Sequence, residues 1–209
     1  MSLIKGCAVL LAVLLAGCSN QQTANEENFA YAITRRLEQD GHLCLGLRAW
    51  PIDVDLVQRL RGVEGSLVAL EVAGLIRGEW MGSGDAFLEP DARVKRYTLT
   101  DAAIPYIHQR PAAERRVRTG SSAPGRDLCW GRKELERIVD WSGPLRLGEY
   151  RTADVTYRYR IADMAGWALL PQVQEAFPEI PRIIERAATD RRQIVYLSPT
   201  GWEAGKHEE

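Results

Sequence analysis

Residues Asp154 to Ile161 alternate without a break: Val155, Tyr157, Tyr159 and Ile161 face one way, Thr156, Arg158 and Arg160 the other. A period of two places neighbouring side chains on opposite faces of an extended chain, so this segment reads as a strand with one buried and one solvent face. Such a strand needs partners and a layer over its apolar side. Leu135–Trp141 and Arg192–Leu197 read as further strands, with Pro144 and Gly148 marking a turn. Leu43–Leu47 reads as a short strand or buried turn, and Arg93–Leu99 as a strand.

Helical spacing supplies the covering layer. Phe29, Ile33, Arg36 and Leu37 share a face of a helix over Phe29–Gln39, and Gly41 is a plausible stop. Asp53–Arg61 follows Pro51 and reads as helical, with Val54, Val57 and Leu60 on successive turns. Ser66–Leu75 is another helix that Ser66 can cap. Thr100-Asp101 starts one that runs to about His108, and Val173–Phe177 and Pro181–Ala188 are helix pieces interrupted by prolines.

The composition of residues 111–127, with Pro111, Gly120, Ser121, Ser122, Pro124 and Gly125, predicts an exposed linker. Its basic run Arg115-Arg116-Val117-Arg118 reads as a solvated surface. The expected fold is therefore α+β: two small lobes, residues 29–110 and 128–209, each of helices packed on a small antiparallel sheet. Leu43-Cys44-Leu45-Gly46 echoes Leu128-Cys129-Trp130-Gly131, which would suit two related lobes as well as it suits chance.

Within the first lobe, "LVALEVAGLIRGEW" and "VKRYTLTDAAIPYI" resemble the helix, wing and final helix of winged-helix domains, over about residues 52–108. The resemblance implies a winged-helix-like first lobe. It does not carry DNA binding, because Ser66–Leu75 holds Glu71 as its one charge, where groove reading needs a basic helix.

The amino terminus carries a different signal. Lys5 precedes ten uncharged residues, Cys7–Ala16, too short a run to span a bilayer, which takes roughly 20 residues. The run ends in Leu15-Ala16-Gly17-Cys18. This resembles the lipobox of bacterial lipoproteins: an aliphatic residue, two small ones, then cysteine. The resemblance covers residues 1–19. It implies that residues 1–17 are a signal peptide, that Cys18 is acylated, and that Ser19 directs the protein to the outer membrane, facing the periplasm. Residues 18–28 are polar and read as a flexible tether.

Export would sort the four cysteines: Cys7 leaves with the leader and Cys18 carries lipid. Cys44 and Cys129 then form one pair in an oxidising compartment, expected as a disulfide, with two buried free thiols as the alternative. The charge balance, 27 Lys+Arg against 28 Asp+Glu, points to neither nucleic acid nor an anionic membrane surface as a partner. Membrane attachment is expected through the acyl chains on Cys18.

No catalytic constellation stands out. Ser121-Ser122 lack an elbow motif, Gly82-Ser83-Gly84 lacks the lysine of a phosphate loop, and His42, His108 and His207 have no ligand-spaced company. No metal or cofactor is expected. The second half gathers Trp130, Trp141, Tyr157, Tyr159, Trp167 and Trp202. These are core candidates first; Trp130, Trp141 and Trp202 are the candidate binding residues, and Trp202 is the one expected to be partly exposed. The expected function is a periplasm-facing lipoprotein that binds an envelope protein or a cell-wall component. The alternatives are an immunity or inhibitor lipoprotein and an envelope enzyme.

Overall fold

The structure, a computed structural model, describes residues 21–47, 50–55, 63–81, 94–109 and 125–205. In chain order its elements are α1 (Glu26–Asp40), β1 (His42–Cys44), β2 (Ile52–Asp55), α2 (Val63–Val72), β3 (Ile76–Met81), β4 (Val94–Leu99), β5 (Ile107–Gln109), β6 (Arg126–Leu147), β7 (Tyr150–Ala162), α3 (Pro171–Ala176), α4 (Glu179–Ala187), β8 (Arg191–Ser198) and β9 (Gly201–Ala204). Short 3-10 turns cover Asp101–Tyr106 and Gly166–Leu169.

One large antiparallel sheet dominates, with strand order β1-β6-β7-β8-β9 and β5 also paired to β6. The alternation at 154–161 sets its centre: Val155, Tyr157 and Tyr159 are buried, as the period of two requires. Their cover is α1, which seats Phe29, Ala32 and Ile33 on Ile138, Val155, Tyr157, Val195 and Trp202. Asn25 caps this helix, its side chain accepting the Asn28 N–H at 2.9 Å. At the other end the Gly41 N–H donates to the Leu37 carbonyl at 2.7 Å. A Cβ on Gly41 would lie 2.2 Å from that carbonyl oxygen and 3.0 Å from that of Lys133, so the helix can end against β6 only on glycine.

β6 holds 22 residues and β7 13, and three register shifts bend the ribbon they form. One of these, between Ser142 and Leu145, takes up Gly143 (φ 103°) and Pro144. The strand therefore runs on through a proline that sequence alone reads as a turn, because a bulge leaves room for a residue without an N–H.

A second, smaller sheet has the order β2-β4-β3. The Glu71 carboxylate accepts from Lys95 Nζ at 2.8 Å and from the Gly78 N–H at 2.9 Å, tying α2 to this sheet. Behind it, Leu67 and Leu70 of α2, Tyr97, Leu128, Trp130, Val173, Phe177 and Ile180 form a second core. Leu45 N–H donates to the Leu128 carbonyl at 2.9 Å, and Ile107 lies opposite Leu128.

These connections overturn the expected fold of two small lobes with helices on small sheets. β1 and β5, from the first half, are strands of the large sheet of the second, and α1, also from the first half, covers it. The expected winged-helix-like first lobe is thus not a unit of its own: β2, α2, β3 and β4 keep a small sheet to themselves, while β5 of the same stretch pairs with β6 of the dominant sheet. The two Leu-Cys-x-Gly segments are paired neighbours, with Cys44 opposite Cys129 and Leu43 opposite Gly131. Two local expectations change as well. Asp53–Asp55 is strand, because Val54 is buried and Asp53 grips Arg96 through two bonds of 2.7 Å; residues 56–61, the rest of the expected helix, lie outside the described residues. His108 sits in β5 and does not end a helix.

Candidate functional site

The expected disulfide is present: Cys44 and Cys129 are bridged across adjacent strands, 85 residues apart in sequence. Asp127 lies two residues before Cys129. It is fully buried, and its two carboxylate oxygens accept the N–H groups of Gly46 and Leu47, each at 3.1 Å. Composition alone assigned this residue to the linker; the structure makes it the anchor of the chain just after β1. The remainder of the 111–127 segment, apart from Gly125 and Arg126, lies outside the described residues. So do Cys18 and the whole leader.

Of the three candidate tryptophans, Trp130 (1% exposed) and Trp202 (4%) are core residues. Trp202 meets Phe29 edge-on at 5.0 Å, and its Nε1–H donates to the Thr23 carbonyl at 3.1 Å. It is not the partly exposed member of the set. Trp141 is, at 36%, with one edge on Phe29 at 5.6 Å. The three are not brought together as one surface.

The polar tract after Cys18 is seated on the sheet from Gln21 onward. Gln22 Nε2 donates to the Pro199 carbonyl at 3.3 Å, and Asn28 Nδ2 to that of Thr23 at 2.8 Å. Between α1 and the β8–β9 hairpin this leaves a groove of about 480 Å³, lined by Tyr31, Arg35, Arg36, Tyr196, Thr200 and Glu203 among others. One helix face supplies the cations, since Tyr31 and Arg35 are one turn apart and Arg35 Nη1 donates to Tyr31 Oη at 3.3 Å. The opposite wall supplies Glu203. Tyr196 Oη donates to Glu203 Oε2 at 2.9 Å and Thr200 Oγ1 to Oε1 at 3.3 Å. The hydroxyls of Ser198, Tyr196 and Thr200, with Arg35 nearby, hold the Glu203 carboxyl below the usual carboxylate range. The same bond raises the Tyr196 phenol.

Sequence reasoning missed this groove. Its walls come from residues 21–39 and 196–204, and only the fold of the large sheet joins them. The available signal was the Tyr31-x-x-x-Arg35 spacing, which by itself reads as an exposed helix face.

A smaller hollow of about 300 Å³ at the far end of α1 is lined by Glu38, His42, Arg132, Lys133 and Glu134. Two of its charges are held from outside the hollow. Arg132 bonds Asp163 at 2.6 Å, and Arg160 bonds Glu134 at 2.8 Å. His42 stacks on His108 with ring centres 3.8 Å apart. Among the described residues, no group of three or more His, Cys, Asp or Glu is placed to hold a metal ion, and no helix is long and apolar enough to cross a membrane.

No family model matches this chain, and neither a curated protein nor a solved structure is detectably similar to it.

Proposed function

We propose that this chain is a lipid-anchored envelope protein, held by acyl chains on Cys18 at the periplasmic face of the outer membrane, and that it acts by binding a partner in the groove between α1 and β8–β9. The observation that carries the binding reading is the state of the groove's charges. The Tyr196 and Thr200 hydroxyls hold the Glu203 carboxylate on one wall, and Arg35 rests on Tyr31 on the other. Arg35 and Arg36 are permanent cations, Arg36 being paired with Asp40 on its own helix. Fixed charges of both signs beside Tyr31 and Tyr196 suit recognition of a protein segment or cell-wall peptide, since tyrosine and arginine are frequent interface anchors. The anchoring reading rests on Leu15-Ala16-Gly17-Cys18, and the Cys44–Cys129 bridge is in keeping with an oxidising compartment.

The test uses the full chain expressed in a bacterium with an outer membrane. Mass spectrometry of the N-terminal peptide should find acyl groups on Cys18, and Cys18→Ser should release the protein from the membrane fraction. Crosslinking in the envelope should then give a stoichiometric adduct that Arg35→Glu and Glu203→Lys both abolish. An adduct that survives both substitutions removes the groove from the reading.

A further inference from the structure

Beyond the main body of the sheet, the ends of β6 and β7 continue as a two-stranded arm. β8 pairs with β7 only from Thr152 onward, so beyond it Arg146 pairs with Arg151 and Leu147 with Tyr150 in a ladder of two strands. Register divides the arm's side chains into two faces. Leu145 lies opposite Thr152 and Leu147 opposite Tyr150 on one face; Arg146 lies opposite Arg151 on the other. Leu145, Leu147 and Tyr150 are 68%, 71% and 65% exposed.

Both faces are unfavourable in water. Three large apolar side chains stand uncovered at the tip of a hairpin that has no core of its own. Like charges directly opposite each other weaken a cross-strand pair, and neither arginine closes an ion pair among the described residues. A surface that is apolar inside and anionic at its rim would relieve both costs.

The position of the arm says which surface. Register aligns Thr152 with Tyr196, and Ser198 with Gly201. Two residues further along each strand, Tyr150 and Ser198 therefore stand at the same end of the sheet. Gln21 packs there too, 3.1 Å from where a Cβ on Gly201 would lie. Two residues, Ser19 and Asn20, stand between Cys18 and Gln21, so the two are at most roughly 10 Å apart. Tyr150, where the arm begins its turn at Gly148-Glu149, is about two strand spacings from Gly201, again roughly 10 Å. Acyl chains on Cys18 would thus bring the bilayer to the end of the sheet where the arm projects.

We propose that the arm is a second membrane contact, with Leu145, Leu147 and Tyr150 seated in an anionic phospholipid leaflet and Arg146 and Arg151 at its phosphates. This rests on the reading of Cys18 as the lipid anchor. It also turns the anchored protein from a tethered body into an oriented one, because two separated contacts fix its tilt.

The experiment uses the full chain, matured in a bacterial host and reconstituted in vesicles of phosphatidylethanolamine and phosphatidylglycerol. Cys44 and Cys129 are bridged and acylation would block Cys18, so an environment-sensitive fluorophore can be placed at Leu147→Cys, with Gln172→Cys on α3 as the distant control. The proposal expects blue-shifted emission at 147, several-fold stronger quenching by a lipid-borne nitroxide at 147 than at 172, and loss of both effects on adding Arg146→Glu and Arg151→Glu. If the protein is acylated and floats with the vesicles but the label at 147 stays in water, the arm proposal is overturned and the anchor reading stands. If Cys18 carries no acyl group, both fall. A label that is shielded yet untouched by the lipid quencher means that a second copy covers the arm, which also overturns the proposal.

Discussion

Replacing Asp127 by alanine should destabilise the fold by about 3 kcal/mol. Its carboxylate is buried and accepts two backbone N–H groups, from Gly46 and Leu47, at 3.1 Å each. A hydrogen bond to a charged acceptor contributes about 1.5–3 kcal/mol, so two give about 3–6. Alanine also removes the cost of holding a carboxylate away from water, which brings the expected loss to the lower end of that range. Asparagine keeps one acceptor oxygen but turns an amide NH₂ toward the second donor, so it should cost about half as much. Urea unfolding with the Cys44–Cys129 bridge intact, followed by far-ultraviolet circular dichroism, resolves the order. With a slope of about 2 kcal/mol per molar urea, the midpoint should fall by about 1.5 M for Asp127→Ala and by about 0.7 M for Asp127→Asn. An alanine variant within about 0.5 kcal/mol of the parent, or an asparagine variant no better than alanine, would refute the view that these two bonds hold the chain after β1 in place.

Three further expectations follow from the packing and the charges. Cys44→Ser combined with Cys129→Ser opens a closure of 85 residues and should cost about 4–5 kcal/mol on chain-entropy grounds; a melting temperature indifferent to reductant counts against this. Phe29 is fully buried and lies edge-on to Trp141 and Trp202, so Phe29→Ala should cost about 3–4 kcal/mol and red-shift tryptophan emission as α1 loosens. Lys95 first, and the Gly78 N–H with it, hold the Glu71 carboxyl below its ordinary value against the opposing effect of partial burial. Its contribution is therefore full above the unfolded carboxylate pKa and is lost as pH falls through the lower folded value. Lys95 is the mirror case, raised by Glu71, with a contribution lost as pH rises through its folded value. Glu71→Gln should cost on the order of 1 kcal/mol at neutral pH, and the gap to the parent should close in acid; unfolding curves that stay equally far apart at every pH would contradict the assignment.

The legible parts of this fold are those in which one segment decides its own conformation. The Asp154–Ile161 alternation becomes the centre of β7, and the Phe29–Ile33 face becomes the buried side of α1, because period and burial agree there. Asp53–Asp55 misleads because a preceding proline and a carboxylate imitate a helix start, while Ile52 and Val54 carry a strand period only two apolar residues long. Pro144 misleads because a bulge is a property of two paired strands and no single-strand pattern announces it. The architecture itself was illegible for the same reason. β1 and β5 are three-residue strands whose partner, β6, lies beyond a segment rich in glycine, proline and serine, and composition there reads as a boundary. The groove needed both ends of the chain to meet, and Asp127 needed a burial that no local pattern encodes.

The pairing at Leu128 has a consequence for how this protein could have been assembled. The chain leaves β6 at Leu45, bonded to the Leu128 carbonyl, and returns at Ile107, opposite the same residue. Everything between, including α2 and the whole small sheet, is an excursion whose two ends both lie beside Leu128. Closing so large a loop costs little more than closing a short one, since the entropy grows only with the logarithm of its length. The excursion is thus a cassette: it can lengthen, shorten or be exchanged while the strand order of the large sheet is kept, provided that the replacement still covers the apolar side of Leu128 and Trp130.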